Sequence, residues 1–314
     1  MAAFHLTVSV VVGAACVGLM SPAKGGEAKR PVRMLWLGSS STYYHDQPKY
    51  IGDWLTAYGK MPPILSELAG KSGTGIHVYL RPDFEAQYGL KKGQTMLDKI
   101  RDGRYDYVVL QTVTHFIAGK EGAEFEKATD TYCKAIREAG GEPVFYEMGW
   151  GSDEVEEPGR VKVFEAALRN RVGLVAPCST AWRRVRKEHP DIELHNLPDR
   201  THPGSLGCYL NYCCFLAAFT KAAPVGVQVR EVRYWGRMTD DEKAQARQKM
   251  ANGQVTDPYF ASLSGWMQLN SVAAKAQQID DAIAAYLQKV ARETWQDYQR
   301  RLGDAAPGPA KGRD

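Results

Sequence analysis

Short apolar runs alternate with amphipathic stretches along most of the chain, and this alternation predicts strands separated by helices. The predicted strands are 32–37, 76–80, 107–110, 143–146 and 173–175, and the predicted helices are 51–68, 95–101, 124–138, 160–170 and 181–188. Strands spaced by helices of this length indicate βαβ units, in which helices cover both faces of a parallel sheet. The sequence therefore predicts an α/β fold with a central, mainly parallel sheet.

The pattern changes after residue 220. An edge strand is predicted over 227–235, and charged amphipathic helices are predicted over 240–251 and 279–301. We expect residues 222–301 to form a helical appendage of the same domain, which begins near residue 30. The segment 302–314 contains Pro and Gly and almost no apolar bulk, so a disordered tail is expected there.

The N-terminal segment differs from the rest of the chain. Its first 23 residues contain no Lys, Arg, Asp or Glu and include an apolar run over 6–20. The run is short for a membrane span and is followed by small residues, so 1–23 is interpreted as a signal peptide, although its positive n-region is missing. We expect the mature chain to be exported, periplasmic or extracellular, without a membrane span. An uncleaved N-terminal anchor is the alternative.

Composition and charge exclude some classes of function. The 314 residues include 40 Lys and Arg against 36 Asp and Glu, and no basic tract carries interleaved aromatic residues, so nucleic acid is not an expected partner. No CxxC pair or HExxH motif occurs, so no metal site is predicted. Five cysteines follow the signal segment, and core packing is favoured for them over a disulfide framework. They are Cys133, Cys178, Cys208, Cys213 and Cys214.

The first motif that can carry chemistry is Gly38-Ser39-Ser40-Ser41-Thr42, straight after the first predicted strand. Parallel α/β sheets bind ligands beyond the carboxyl ends of their strands, so these hydroxyls lie where a site is expected. Three interpretations stay open: a polar turn, an anion cradle at a helix N-terminus, and a turn that carries a serine nucleophile. The chain lacks the lipase-type elbow here, because Thr42 replaces the second Gly of G-x-S-x-G.

The second motif is Asp199-x-x-His202, followed by Pro203 at the start of a late helix. A carboxylate three residues before an imidazole can bond to it, fix its tautomer and leave the other ring nitrogen as a base. An isolated motif of this kind is more often a surface loop. Its position downstream of the Ser motif, near the end of an α/β pattern, favours catalysis instead. Together the two motifs supply the nucleophile, base and acid of a serine hydrolase.

These motifs resemble those of the SGNH (GDSL-type) hydrolase family, whose nucleophile block is G-[DN]-S-x-[TS] and whose last block is D-x-x-H. The resemblance covers about residues 32–225 and implies a three-layer α/β/α flavodoxin-like fold. Matched position by position, it implies that Ser40 is the nucleophile, Asp199 the acid and His202 the base. It also implies that the backbone N–H of Gly93 helps to bind the oxyanion, and that no metal or organic cofactor is needed.

Two positions depart from the family pattern. Ser39 stands where the family has Asp or Asn, and residues 112–115 read Thr-Val-Thr-His where the family has G-x-N-D. The asparagine whose side-chain amide helps to bind the oxyanion is therefore absent. Gln111 can supply such an amide, with Thr114 and His115 as competitors.

The sequence therefore predicts an exported serine esterase that hydrolyses a small acyl ester. The resemblance and the export signal together imply an acetyl ester on a carbohydrate. The alternative is a catalytically silent carbohydrate-binding or interaction protein on the same scaffold, which the missing asparagine fits. Binding of flavin or phosphate at the Ser-rich turn is a third interpretation, and it gives Asp199 and His202 no role.

A few other side chains leave two interpretations open. His45 is expected either to line the pocket or to lie in a solvated loop, and Glu147 either to face the pocket or to be structural. Trp150, Trp235 and Trp266 are candidates for stacking on sugar rings, although large aromatic residues more often pack in a core.

Overall fold

A five-stranded parallel sheet forms the centre of the structure, a computed structural model that describes residues 30–305 apart from 120, 150, 152, 198, 222–223, 225 and 254–256. The strands lie in the order β2-β1-β3-β4-β5, and every neighbouring pair is parallel. This is the flavodoxin-like order, whose switch point lies between β1 and β3. The strands are β1 (Val32–Gly38), β2 (Ile64–Gly70), β3 (Tyr107–Val113), β4 (Glu142–Met148) and β5 (Leu174–Pro177).

Helices connect the strands and continue beyond the last one. The helices of the described residues are α1 (Ser40–Tyr43), α2 (Gln47–Ala57), α3 (Met96–Gly103), α4 (Thr114–Ile117), α5 (Gly122–Glu138), α6 (Asp153–Arg169), α7 (Cys178–Glu188), α8 (Ser205–Thr220), α9 (Asp240–Ala251), α10 (Pro258–Ala261), α11 (Gly265–Val272) and α12 (Asp281–Ala305).

Successive side chains of the strands enter two separate hydrophobic cores, one on each face of the sheet. Met34 and Trp36 of β1 pack with residues of α2, α8 and α12, whereas Leu35 and Leu37 pack with residues of α3, α5 and α6. This is the period of two that a strand covered on both faces requires. The three layers confirm the predicted α/β/α fold class.

The predicted helix over 51–68 is wrong. In the structure α2 ends at Ala57, and residues Ile64–Gly70 form β2, which pairs with β1 along its whole length. Pro62 and Pro63 explain the break, because proline lacks the N–H that a helix interior needs and restricts the residue before it.

The predicted strand over 76–80 is also wrong. Ile76–Leu80 forms a 3-10 helical segment instead. Its Tyr79 hydroxyl donates to the carbonyl of Gly38 (2.7 Å), which ties this segment to the end of β1. The other strands and helices predicted before residue 190 are confirmed, with differences at their ends.

The residues after 220 pack on the same unit as the sheet, since the described chain from Pro31 onward forms one compact body. β6 (Glu231–Tyr234) and β7 (Lys275–Gln278) form a separate antiparallel pair, so the strand predicted within 227–235 does not join the central sheet. α12 lies against α7 and α8. It ends at Ala305, so the first four residues of the predicted tail, 302–305, are helical.

The remainder of that tail and the predicted signal peptide, 1–23, lie outside the described residues. Within the part of the chain that is described, no helix combines the length and the apolar character needed to cross a bilayer.

All five cysteines after the signal segment are buried and unpaired, in agreement with the prediction of core packing. Three of them lie on α8, which is apolar around most of its surface because it lies between α2 and α12. Burial raises the pKa of the Cys133 thiol to about 12, so this thiol stays protonated and unreactive.

Candidate active site

Ser40 lies at the carboxyl end of β1, where the strand turns into α1. Gly38 ends the strand, Ser39 is the extended N-cap residue (φ −107°, ψ −164°), and Ser40 is the first helical residue. Only glycine fits at position 38, because a Cβ there would lie 2.0 Å from Thr42 Oγ1. Ser40 is half-buried, and its hydroxyl has no hydrogen-bond partner within the described chain.

Gln111, near the end of β3, holds this turn in place. Ser39 donates both its backbone N–H (2.6 Å) and its hydroxyl (2.9 Å) to Gln111 Oε1. The amide nitrogen of Gln111 is therefore the free end of the side chain, and it is buried without a hydrogen-bond partner among the described residues. By contrast, the hydroxyl of Thr114 donates to the carbonyl of Met148 (3.1 Å). Of these two candidate donors, only Gln111 has a donor to spare.

Asp199 and His202 form a hydrogen-bonded dyad in the loop before α8. His202 Nδ1 lies 3.2 Å from Asp199 Oδ2. The carboxylate also accepts the backbone N–H groups of Thr201 (2.9 Å) and His202 (3.1 Å). The side-chain amide of Asn196 donates to it as well (2.7 Å). Burial acts to raise the pKa of Asp199, but these hydrogen bonds outweigh it and lower that pKa to about 2.

The ionised carboxylate of Asp199 fixes the tautomer of His202. Because such a carboxylate can only accept, the proton of the neutral ring lies on Nδ1, and Nε2 keeps its lone pair. Nε2 is buried and has no partner in the described chain. A nitrogen in this state is ready to take a proton from a hydroxyl.

Tyr44 connects the dyad to the turn that carries Ser40. Its backbone N–H donates to the carbonyl of Ser40, one helical turn earlier. Its ring stacks on the His202 imidazole, with centroids 4.0 Å apart and planes 9° from parallel. No hydrogen bond joins Ser40 Oγ to His202 Nε2. The structure therefore brings Asp199 and His202 together and places both against the segment after Ser40. The contact between Ser40 and His202 is not made.

The two residues after Tyr44 have left-handed backbone conformations that are costly for side chains other than glycine, His45 with φ 57° and Asp46 with φ 54°. Buried hydrogen bonds hold them. His45 Nδ1 accepts the backbone N–H of Trp235 (2.7 Å), and Asp46 accepts the indole N–H of Trp235 (2.9 Å) and the hydroxyl of Ser271 (2.5 Å). His45 is therefore buried and structural, not part of a solvated loop.

Burial gives these two side chains unusual pKa values. The pKa of His45 is lowered to about 4, first by burial and then by the charge of His202, so its ring stays neutral. Burial raises the pKa of Asp46 to about 7, although hydrogen bonds from Ser271 and Trp235 act in the opposite direction.

A second buried network lies next to the turn. The Gln47 amide donates to the carbonyl of Ser41 (2.6 Å), and Gln47 Oε1 accepts from the Asn211 amide (2.8 Å) and the Tyr146 hydroxyl (3.3 Å). Sequence reasoning missed these residues, and it also missed Tyr44. The only sequence signal for Tyr44 is that it belongs to a pair of aromatic residues directly after the Ser motif.

Gly93 lines a cavity next to the turn that carries Ser40. It has φ 76°, and the cavity, of about 540 Å³, is formed by residues within 79–97. None of the three triad candidates lines that cavity. Tyr79 connects the cavity to the turn that carries Ser40, since its hydroxyl is bonded to the carbonyl of Gly38. The oxyanion role of the Gly93 N–H stays a prediction.

Glu147, at the end of β4, serves the fold. Its Oε1 accepts the backbone N–H (2.8 Å) and the hydroxyl (2.7 Å) of Thr180 in the first turn of α7. Burial raises its pKa to about 7. In the described part of the chain, no group of three or more His, Cys, Asp or Glu side chains could hold a metal ion.

Comparison with known proteins finds five chains of solved structures that are similar to this one, among them the two named below. No family model matches the sequence, and no curated protein matches it either. One similar structure is described as "a putative SGNH hydrolase from Slackia heliotrinireducens", with 18% identity, a TM-score of 0.47, and coverage of 60% of this chain and 99% of that one. Another is TesA, with 10% identity, a TM-score of 0.40, and coverage of 58% of this chain and 93% of that one.

At these identities and TM-scores the similarities carry no argument about activity, which rests on the side chains described above. One of the similar structures is described as belonging to an SGNH hydrolase. This is the family whose motifs the sequence resembles.

Proposed function

We propose that the protein is a serine esterase in which Ser40 is the nucleophile, His202 the general base and Asp199 the acid that orients the base. The dyad carries this proposal: an ionised carboxylate fixes the imidazole tautomer and leaves Nε2 unpaired, next to the segment that follows Ser40. The open contact between Ser40 and His202 is compatible with this role, because catalytic hydrogen bonds of unliganded enzymes are often long and tighten when substrate binds.

The proposed reaction has two halves. Ser40 Oγ attacks the ester carbonyl while its proton passes to His202 Nε2, and Asp199 stabilises the imidazolium. The tetrahedral intermediate collapses as the imidazolium protonates the leaving alcohol oxygen, which leaves an acyl-enzyme. Water then attacks the acyl carbon while His202 takes its proton. The imidazolium returns a proton to Ser40 Oγ as the carboxylic acid is released.

The oxyanion needs donors that are already in place. The backbone N–H of Ser40 belongs to the first turn of α1, where N–H groups have no intrahelical acceptor. We assign the side-chain donor to Gln111 Nε2, which is buried and unpaired in the described chain while Ser39 holds the other end of the amide. The N–H of Gly93 is the third proposed donor.

We further propose that the substrate is a small acyl ester, specifically an acetyl group on a carbohydrate. Trp266 supports this choice, since its side chain is 57% exposed. Its ring meets Trp235 edge-on (5.6 Å between centroids), and Trp235 in turn contacts Tyr44 (5.4 Å), which stacks on His202. An exposed indole in this position offers a flat apolar face with a polar edge, which suits a sugar ring. Trp235 itself is buried, and Trp150 lies outside the described residues.

Hydrolysis of p-nitrophenyl acetate tests the activity. We expect Ser40→Ala to lower kcat by at least about 10³-fold, because the nucleophile is removed. Ser41→Ala is the matched control: it makes the same change one residue away and keeps the bond from Gln47 to the backbone carbonyl of Ser41. A folded wild-type protein without Ser40-dependent turnover would refute the esterase and favour the silent binding protein.

The same assay with an acetylated polysaccharide tests the substrate. We expect Trp266→Ala to raise KM for the polysaccharide by about tenfold and to leave kinetics with p-nitrophenyl acetate unchanged, since the small ester does not reach the indole. Equal kinetics of wild type and variant on the polysaccharide would remove the role of Trp266 and leave the esterase itself standing.

A further inference from the structure

The side chain of Tyr44 contacts both members of the dyad. Its ring covers one face of the His202 imidazole at 4.0 Å between centroids, nearly parallel. Its hydroxyl donates to Asp199 Oδ2 (3.3 Å), the same oxygen that bonds His202 Nδ1. A single residue therefore contacts the base through its ring and the acid through its hydroxyl.

The position of the Tyr44 ring is itself determined by the turn that carries Ser40. The backbone N–H of Tyr44 bonds to the carbonyl of Ser40, and the ring packs against Trp235 (5.4 Å between centroids). Trp235 is fixed by hydrogen bonds to His45 and Asp46, the two residues that follow Tyr44 in the sequence. These contacts therefore tie the stacked imidazole to the turn that carries Ser40.

The groups that face His202 determine how much the Tyr44 ring can stabilise a positive charge on the imidazole. They are Asp199 on its own loop, and Tyr44 and His45 on the segment after Ser40. His45 stays neutral because burial lowers its pKa, and Tyr44 stays neutral because burial, followed by the charge of Asp199, raises its pKa to about 12. An imidazolium at position 202 therefore meets one negative charge and one aromatic face, and a cation over such a face is stabilised.

We propose that Tyr44 is a positioning residue of this enzyme, which fixes the plane of the His202 ring relative to Ser40 and stabilises the imidazolium through its π-face. The inference rests on the proposed esterase. As Ser40 Oγ bonds to the acyl carbon, its proton moves to Nε2, and as the intermediate collapses, the proton moves on to the leaving oxygen. In both steps the positive charge of the ring lies against Tyr44.

Three variants separate the ring from the hydroxyl. Tyr44→Phe removes only the hydroxyl, Tyr44→Leu removes both, and Tyr58→Leu is the matched control at a tyrosine that is 37% exposed and lies at the end of α2. We expect Y44L to have a kcat about tenfold below that of Y44F, with KM for p-nitrophenyl acetate within about threefold. We also expect the midpoint of the acid limb of kcat/KM to lie about half a pH unit lower in Y44L than in Y44F.

The comparison of Y44L with Y44F isolates the aromatic face, because neither variant has the hydroxyl. Y58L should match the wild type in both measurements. Superimposable kcat values and pH profiles for Y44F and Y44L would overturn the proposal.

NMR of the His202 ring protons gives a readout that needs neither turnover nor a folded Leu variant. In the wild-type protein these protons should be shifted upfield by the ring current of Tyr44, and the shift should persist in Y44F. A missing shift overturns the role of Tyr44 whether or not the protein is an esterase. A normal shift without Ser40-dependent turnover overturns the esterase, and the catalytic role of Tyr44 with it.

Discussion

Gln111 and His202 share a property that matters at the scale of single residues. In each side chain one polar atom is fixed by hydrogen bonds, and the other, Nε2 in both cases, is buried without a partner in the described chain. A buried polar atom left unpaired costs about 1–3 kcal/mol. Two such atoms beside the turn that carries Ser40 are explained if the proposed reaction supplies their partners, the hydroxyl proton of Ser40 for His202 and the developing oxyanion of the substrate for Gln111.

The donor role that we propose for Gln111 gives a prediction at this scale. Gln111→Glu keeps an oxygen that Ser39 can bond to and removes the N–H donor, so at pH 8 we expect kcat to fall by about 10²–10³ with little change in KM. Thr114→Val is the control, because the Thr114 hydroxyl is engaged by the carbonyl of Met148. A kcat within about threefold of wild type in the Gln111 variant, or a large loss of kcat in the Thr114 variant, would show that Gln111 is not the side-chain oxyanion donor.

At the scale of elements, the short segment after Ser40 joins three parts of the fold. Tyr44 meets the dyad loop before α8, and Asp46 bonds to Trp235, directly after β6, and to Ser271 on α11. The left-handed conformations of His45 and Asp46 are maintained by these bonds. The elements after residue 220 are therefore part of the support of the site, although they lie outside the central sheet.

Asp46 gives a prediction about stability and pH. Its carboxyl pKa is about 7 in the folded protein, against an ordinary value of 3.8, so the folded state holds a proton that the unfolded chain releases between these values. Stability is therefore lost as the pH rises from about 4 to about 7 and stays reduced above that, by an amount on the order of 4 kcal/mol. Glu147, with a pKa raised to about 7 by burial, acts in the same direction.

Thermal melts of Asp46→Asn test this sign. The new amide can accept the Trp235 N–H and donate to the Ser271 hydroxyl, which can in turn donate to the carbonyl of Met267. We expect its Tm to exceed that of the wild type at pH 8 and the difference to shrink toward zero near pH 4. Asp53→Asn is the control, since Asp53 is exposed and, among the described residues, is paired with Lys49 of α2 alone. A difference that grows as the pH falls would contradict the burial of a protonated Asp46.

At the scale of the whole molecule, the features that could be predicted from the sequence are those that depend on residues close together in the chain. The strand at Tyr107–Val113 is found because an apolar run lies between two helices, and the dyad is found because its two side chains are three residues apart. β2 is missed because Ile64–Gly70 contains mostly residues that favour helices, and only its pairing with β1 makes it a strand.

The support of the site is missed for a related reason. Asp46 and Ser271 are 225 residues apart, and Asp46 and Trp235 are 189 apart, so no window of the sequence shows that they meet. The stack of Tyr44 on His202 likewise depends on how the loop before α8 packs against the segment that follows Ser40. Motifs therefore identify the groups that we propose to react, and the tertiary structure identifies the groups that hold them.

Covalent labelling with a fluorophosphonate probe, mapped by peptide mass, tests most directly whether position 40 carries a hydroxyl activated by the imidazole at position 202. We expect a single adduct on Ser40 in the wild-type protein, equal labelling of Ser41→Ala, and no labelling of Ser40→Ala or His202→Ala. An adduct on a different residue, or full labelling of Ser40 in the absence of the His202 ring, would contradict the triad.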